Sequence, residues 1–411
     1  MNLCGRGHWV TTKLQGNTFP LLRILITEQP SVKSATAHPA DISAPPPATV
    51  QAPYLLPKFT GIGGQIKLSP EDFMVEEIPA YTPSGEGEHL YFQVEKQGIS
   101  SEEAARLLAT ALHIRPRDIG MAGRKDTQAL TRQWFSAHVP KGGMLQDFTH
   151  PSMRILAQSR HGNKLRTGHL QGNRFTITVH GVLLDEGWQE ALNTLQSQGF
   201  PNYFGPQRFG GGGGNPARGV ALLTDTAKRG WSASQRLMVN ALQSVMFNQV
   251  LAIRLLEMGN LHDLLTGDLA WLHRNGASFA ITGENLESSR HRALEGEISP
   301  TGALPGHKAH YAEGTQGQWE AAIMDASGLA PEQFLRTPRR DSMPGTRRPL
   351  REFATDIGHK VISTGPDAKL CLAFTLPPGA YATSFLRELM KTDDLSPTFQ
   401  INHAETRGDG H

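Results

Sequence analysis

The feature that most constrains the fold is a strand-type alternation of apolar residues at both ends of the patterned sequence, with a different texture between them. Apolar and polar residues alternate at residues 89–95 and 174–179, and the same period of two returns at residues 370–376. Residues 200–351 instead combine a glycine run, one long helical pattern and loops rich in Pro and Gly. The late strand at residues 370–376 and the helix after it would complete the sheet that the earlier strands begin. The pattern therefore predicts one α+β domain that is interrupted by an insertion.

The same texture predicts the domain boundaries. Residues 1–57 are predicted to form a disordered or loosely attached extension, because residues 28–57 hold seven prolines and little that could bury a core. The interrupted domain covers residues 58–199 and 352–392, and the insertion covers residues 200–351. A polar tail follows at residues 393–411.

Cysteine and histidine usage argues against several classes of site. Cys4 and Cys371 are the two cysteines and do not form a CxxC motif, which argues against thiolate zinc sites and iron–sulfur clusters and suits a reducing cytoplasm. The 17 histidines include no HExxH motif, so no metal is expected. No apolar run approaches the roughly 20 residues that a membrane helix needs, so no membrane partner is expected.

The positive charge of the chain is concentrated in one segment. Residues 115–174 hold eleven Lys or Arg against three Asp, a net charge of +8, whereas the whole chain carries only +2. The rest of the chain is therefore acidic at −6. Such asymmetry indicates either a polyanion-binding face or a solvated basic surface, and charge alone does not separate the two.

Five consecutive glycines at residues 210–214 invite a phosphate-loop interpretation. A P-loop requires Lys followed by Ser or Thr directly after its last glycine, and here Asn215 and Pro216 follow instead. A hinge or a close approach of the backbone is favoured over nucleotide binding. An enzyme acting on a nucleotide phosphate nevertheless stays open as an alternative function.

Asp126 is the candidate nucleophile of the basic segment. It follows Arg124 and Lys125, and neighbouring cations lower the pKa of a carboxylate and keep it ionised, as a nucleophile requires. An ordinary surface salt bridge is the commoner role of adjacent Lys and Asp. The spacing alone does not decide between these roles.

Ordered motifs across the chain resemble the TruD family of tRNA pseudouridine synthases. The Gly-Arg-Lys-Asp-Thr-Gln segment at residues 123–128, which precedes Gln133-Trp134-Phe135, resembles the family's signature. Further similar motifs occur in the same order at residues 67–77, 85–89, 164–175, 201–210, 247–248, 347–349 and 376–389. The resemblance covers roughly residues 61–391 and does not include the extension.

The resemblance implies a pseudouridine-synthase domain with a mixed, mostly antiparallel sheet, interrupted by an inserted α/β TruD domain. It implies isomerisation of uridine to pseudouridine in tRNA, typically at position 13 of the D arm, by a cytoplasmic, monomeric enzyme without cofactor or metal. By motif matching, Asp126 is the nucleophile. The implied substrate-binding residues are Phe73, Asn173, Tyr381, Phe175, Lys125 and Lys67.

Individual roles within this set are less fixed. Tyr381 stands where the family usually has Phe, and core packing is the alternative role of Phe175. Both Lys125 and Lys67 are candidates to pair with Asp126 or with phosphate, and Lys125 is favoured for local charge. A non-catalytic RNA-binding protein on the same scaffold is the main alternative function.

Overall fold

The structure is a computed structural model, and it describes residues 52–140, 144–146, 148–225, 231–335, 343–393 and 395. The predictions for residues 1–51 and 396–411 lie outside these residues. The period-two patterns at residues 89–95, 174–179 and 370–376 lie in strands, as the sequence predicts.

The largest sheet has eight strands drawn from both ends of the chain. They are β1 (Phe73–Pro79), β2 (His89–Lys96), β3 (Ile119–Met121), β4 (Leu130–His138), β5 (Met153–His161) and β6 (Leu170–His180), followed much later by β13 (Thr355–Ser363) and β14 (Lys369–Leu376). Their order is β13-β14-β6-β1-β4-β2-β5, and β3 pairs with β4. β1 and β4 are parallel, whereas the other pairs of this sheet are antiparallel. The sheet is therefore mixed and mostly antiparallel, as predicted.

The chain returns to this sheet after the insertion. β14 pairs with β6 over its whole length, from Lys369 opposite His180 to Leu376 opposite Asn173. The inward residues of these strands and of β1 share one face and form the main hydrophobic core, which includes Phe73, Phe175 and Phe374. The late strand thus completes a sheet that begins about 290 residues earlier, and the fold is that of an interrupted domain.

Three helices belong to this part of the chain. They are α1 (Ser101–Ala111), α2 (Trp188–Gln198) and, after β14, α7 (Ala382–Met390). Ser100 starts α1, because its side chain accepts the N–H of Glu103 at 3.0 Å. Ala104, Ala105 and Leu108 then fall on one face and pack under β2 and β4 in a second core cluster.

The inserted segment has its own helices and sheet. They comprise α3 (Asn215–Thr224), α4 (Ala233–Met258), α5 (Leu286–Leu294), α6 (Gly314–Ala326), and the strands β8 (Leu269–Leu272), β9 (Ala277–Ala280), β10 (Ile298–Leu304) and β11 (Thr346–Pro349) in the order β11-β10-β8-β9. Within the residues that the structure covers, no helix combines the length and the apolar character needed to cross a membrane.

The 26-residue helix α4 joins the insertion to the main core. Ser232 and Gln235 form a capping box at its start. Leu242 and Met246 pack within the insertion, whereas Phe247 and Leu251 belong to the main core. A short antiparallel pair, β7 (Phe200–Pro201) with β12 (Arg351–Glu352), closes the junction where the chain leaves and re-enters the interrupted domain.

The folded part begins before residue 58, so the predicted boundary of the extension at residue 57 lies too far along the chain. Leu55 is 7% exposed within the main core, and its N–H donates to Glu388 of α7 at 3.0 Å. The Arg387 guanidinium lies 3.9 Å from the centre of the Tyr54 ring. Likewise Leu395, which the sequence assigns to the tail, is buried in the same core. Leu55 and Leu395 are apolar, and their burial outweighs the Pro-rich composition around them.

Candidate active site

Asp126 lies in the loop between β3 and β4, and this loop is fixed over the buried face of the sheet. Gln133 of β4 donates its side-chain amide to the carbonyl oxygen of Gly123 at 2.6 Å. The Lys125 N–H donates to the Ser101 hydroxyl oxygen at 2.9 Å, and that hydroxyl donates to Gln133 at 2.8 Å. These bonds hold the backbone just before the candidate nucleophile to α1 and β4.

Both carboxylate oxygens of Asp126 accept hydrogen bonds. The Lys67 ammonium donates to Oδ2 at 2.9 Å, and the N–H of Gln128 donates to Oδ1 at 3.0 Å. The Lys67 side chain is 1% exposed, whereas the Asp126 side chain is 30% exposed. The carboxylate is therefore held in one orientation and is still open to a substrate.

Competing effects set the charge of Asp126. Burial raises the pKa of the carboxyl group, but the charge of Lys67, the N–H of Gln128 and the more distant charge of Lys96 outweigh it and lower the pKa below its ordinary value. Asp126 is therefore ionised at neutral pH. Burial in turn lowers the pKa of Lys96 to about 8. The Lys96 ammonium donates to the carbonyl oxygens of Ile99 at 2.9 Å and Asp126 at 3.4 Å.

Aromatic rings border the ion pair. The Lys67 Nζ atom lies 4.4 Å from the centre of the Phe73 ring. Phe73 in turn meets Phe175 edge to face at 6.1 Å, and Phe175 stacks on Phe374 at 5.5 Å. Phe73 and Phe175 are both buried in the main core. These contacts are those of core packing, which is the alternative role of Phe175. Stacking of either ring on a uracil stays a prediction.

Lys125 does not pair with Asp126, contrary to the favoured expectation. Its Nζ atom lies 2.5 Å from Oε2 of Glu77, and the two side chains are 5% and 0% exposed. Neighbouring side chains in an extended segment point in opposite directions, so Lys125 and Asp126 reach different partners. Glu77 also accepts the N–H of Trp134 at 3.3 Å. Burial raises the pKa of Glu77 even though Lys125 and Trp134 oppose the shift.

Asn173 of β6 lies directly opposite Glu77 of β1 and opposite Leu376 of β14. Its side-chain oxygen is buried and has no hydrogen-bond partner among the described residues. A buried polar atom without a partner is costly, and its acceptor lone pairs are available to a ligand. Asn173 therefore has the free hydrogen-bonding capacity that a substrate-binding residue needs.

Tyr381 lies at the junction with the insertion and packs against the main hydrophobic core that also holds Phe73 and Phe175. It directly precedes α7, and its ring meets that of Phe204 edge to face at 5.9 Å. The Arg348 guanidinium lies 4.2 Å from the centre of the Phe204 ring and donates to the carbonyl oxygen of Gly379 at 3.0 Å. Across the described ranges, no direct contact joins Tyr381 to Asp126. A role of Tyr381 in stacking on the base stays a prediction.

Sequence reasoning missed Glu77 and Lys96 as members of the site. Both continue an apolar alternation onto the buried face, since Glu77 follows Phe73 and Val75, and Lys96 follows Phe92 and Val94. An ionisable residue at an inward position of a strand is the signal that could have found them.

Comparisons with known proteins give the family. The sequence model of tRNA pseudouridine synthase D (TruD) matches residues 49–217 and 232–389. The chain is 41% identical over 349 residues to tRNA pseudouridine synthase D of Thermus thermophilus, which covers 84% of this chain and 93% of the relative. The chain belongs to the TruD family.

Further TruD relatives agree in sequence and fold. The protein of that name from Anaeromyxobacter dehalogenans is 41% identical over 351 residues, which covers 84% of this chain and 98% of the relative. A crystal structure under the TruD name from Methanosarcina mazei superposes with a TM-score of 0.66 at 23% identity, over 83% of this chain and 96% of that chain. The family resemblance and the mixed, interrupted fold predicted from the sequence are thereby confirmed.

Proposed function

We propose that this TruD-family chain isomerises uridine to pseudouridine in tRNA, at position 13 of the D arm, with Asp126 as the nucleophile. The observation that carries the proposal is the state of the Asp126 carboxylate. It is ionised, partly exposed and fixed by Lys67 at 2.9 Å on a loop that α1 and β4 hold in place.

The reaction needs one such carboxylate. The N1–C1′ glycosidic bond must break, the uracil must rotate, and the bond must form again through C5. The carboxylate either attacks the substrate covalently or removes a sugar proton on the way to a glycal, and both routes require an unprotonated oxygen. No oxidation or hydrolysis takes place, so the proposal includes neither cofactor nor metal.

The substrate uridine must leave the RNA stack to reach Asp126. Eversion costs a few kcal/mol, which contacts in the pocket offset. We assign Asn173 to hydrogen-bonding the base or the sugar, because its side-chain oxygen has no partner among the described residues. Phe73, Phe175 and Tyr381 are assigned to apolar contact with the uridine, and Lys67 and Lys125 to fixing charge around it. The proposed enzyme is cytoplasmic and monomeric.

The test is the substitution Asp126→Asn, which keeps the shape of the side chain and removes its charge. We expect loss of pseudouridine formation on unmodified tRNA with nearly unchanged tRNA affinity. Asp118→Asn is the matched control, because Asp118 is an aspartate of the same basic segment that pairs with Arg115 at the surface. Near-normal turnover by the Asp126 variant would refute its role. Tight tRNA binding by the wild type without any pseudouridine would support the non-catalytic alternative.

A further inference from the structure

A second pocket lies outside the candidate active site. Its volume is about 410 Å³, within the range of roughly 300–1,000 Å³ that is typical of ligand sites. None of the predicted substrate-binding residues lines it. The lining residues are basic, aromatic or amide side chains, namely Tyr81, His161, Asn163, Lys164, Arg166 and His169.

This pocket holds two cations of the basic segment, Lys164 and Arg166, that lie outside its direct ion pairs. Elsewhere in that segment, ion pairs join Arg115 to Asp118, Arg124 to Glu102, and both Arg132 and Arg154 to Glu95. In the part of the chain that the structure describes, Lys164 donates to the carbonyl oxygen of Arg117 at 2.9 Å and joins Arg115 in lowering the pKa of Asp118, but neither Lys164 nor Arg166 forms a direct ion pair. The positive charge that these two residues bring to the pocket therefore stays available to an anion.

The walls of the pocket are already in place. The Tyr81 ring stacks on the His161 ring at 4.8 Å, and its hydroxyl lies 2.9 Å from Nδ1 of His169. The Tyr91 hydroxyl donates to the carbonyl oxygen of Asn163 at 2.9 Å. Little side-chain ordering would have to accompany binding, which lowers its entropic cost.

The pocket is connected to the active-site loop but is not part of the uridine site. The Gly168 N–H donates to the carbonyl oxygen of Ala122, at the start of the loop that carries Asp126, at 2.8 Å. Phe73 lies at one end of β1, and Tyr81 follows the other end after eight residues. The predicted substrate-binding residue Asn173 lies opposite Glu77, four residues before Tyr81, so the two sites are neighbours along β1 but are lined by different residues.

We propose that this pocket binds a nucleotide of the RNA substrate other than the uridine that is isomerised. Lys164 and Arg166 contact its phosphate, because neither is held in a direct ion pair among the described residues, and the Tyr81–His161 stack offers an aromatic face to its base. The inference rests on the proposed function for the identity of the RNA.

The test is the double substitution Lys164→Gln with Arg166→Gln, assayed for tRNA affinity at several salt concentrations and for single-turnover pseudouridine formation. We expect affinity to fall about tenfold or more, and the slope of log K against log salt to fall by about 0.7–0.9, which is the contribution of one neutralised phosphate. The rate at saturating enzyme should fall far less than the affinity. Arg115→Gln is the matched control, because this exposed arginine of the same segment pairs with Asp118.

Each outcome has a distinct meaning. If the wild type is active and the double variant keeps the tRNA affinity and salt slope of the wild type, the role of the pocket in RNA binding is refuted and the proposed function stands. If the wild type is inactive but the double variant still loses tRNA affinity, the proposed function is refuted and the role of the pocket in RNA binding stands. Should the double variant unfold, Arg166→Gln alone decides, because Arg166 is exposed and its loss should remove about half of the slope change. Tight binding of free uridine monophosphate that depends on Arg166, with unchanged tRNA affinity, would also overturn the proposal.

Discussion

Replacing Lys67 by Met tests what keeps Asp126 ionised. Met matches much of the length of Lys but carries no charge and donates no hydrogen bond to the carboxylate at 2.9 Å. Both residues carry a Cβ atom, so the left-handed backbone of residue 67 (φ 58°) costs the variant no more than the wild type. The substitution therefore isolates the charge.

The distance sets a ceiling on the effect. At 2.9 Å and an effective dielectric constant of ~20, the attraction is about 6 kcal/mol. Water screens part of it, because the Asp126 side chain is 30% exposed. We expect about 2–3 kcal/mol of stabilisation of the carboxylate anion to be lost, which is a factor of roughly 30 to 150 in its protonation equilibrium.

The direction of the pH dependence follows from the causes of the Asp126 pKa. Burial raises this pKa, and Lys67 is the main group that lowers it. Without Lys67 the pKa rises, so the carboxylate is protonated at a higher pH than in the wild type. The rate of the variant should fall as the pH is lowered through this new pKa and recover as the pH is raised. The wild-type rate should persist to lower pH.

The assay is single-turnover pseudouridine formation at saturating enzyme across pH 5.5–9. Lys58→Met is the matched control: it removes an equal charge at an exposed position, and Lys58 is not among the groups that lower the Asp126 pKa. Its profile should keep the wild-type shape. A wild-type rate and profile in the Lys67 variant would refute the reasoning.

Three further predictions concern stability. In urea titrations, Lys125→Met and Glu77→Gln should each lower the free energy of unfolding by about 3–5 kcal/mol, because each leaves its buried partner unpaired. The double variant should lose less than the sum of the two single losses, and additive losses would contradict a buried pair. The pKa of Lys96 is lowered from 10.5 to about 8, so the unfolded state binds more protons between these values and stability should rise with pH there. Lys96→Met should abolish that rise in urea titrations, and an unchanged rise would exclude Lys96 as its source. Deleting residues 1–51 should leave the melting temperature near that of the full chain and turnover within a few-fold of it. Deleting residues 1–57 also removes the buried Leu55, whose burial stabilises the fold by about 1.5–3 kcal/mol, and should lower the melting temperature. Equal melting temperatures would contradict this assignment of residues 52–57.

The elements of the fold were accessible from local sequence pattern, but their arrangement was not. The alternation at residues 89–95 and 370–376 marks β2 and β14 to within a residue. The position of β1 between β6 and β4, parallel to β4, carries no local signal, because pairing depends on contacts between residues far apart in the chain. The family resemblance supplied the sheet class, and the structure supplied its order.

The site divides in the same way. Motif matching singled out Asp126 as the candidate nucleophile and Lys67 and Lys125 as its candidate partners, whereas reasoning from neighbouring charges favoured Lys125, which pairs with Glu77. Lys67 is 59 residues away in sequence and reaches Asp126 only because the fold brings the two together. Composition also placed the end of the extension too late, because the docking of residues 52–57 depends on α7, more than 300 residues further along the chain.

The charges around Asp126 do not balance, and the imbalance suits the reaction. The buried ammonium groups are Lys67, Lys125 and Lys96, whereas the facing carboxylates are Asp126 and Glu77. Lys96 is the cation left over, and burial lowers its pKa to about 8. When the glycosidic bond breaks, its electron pair leaves on the uracil. Under the proposed function, an excess cation fixed beside Asp126 stabilises that state more than the neutral bound uridine.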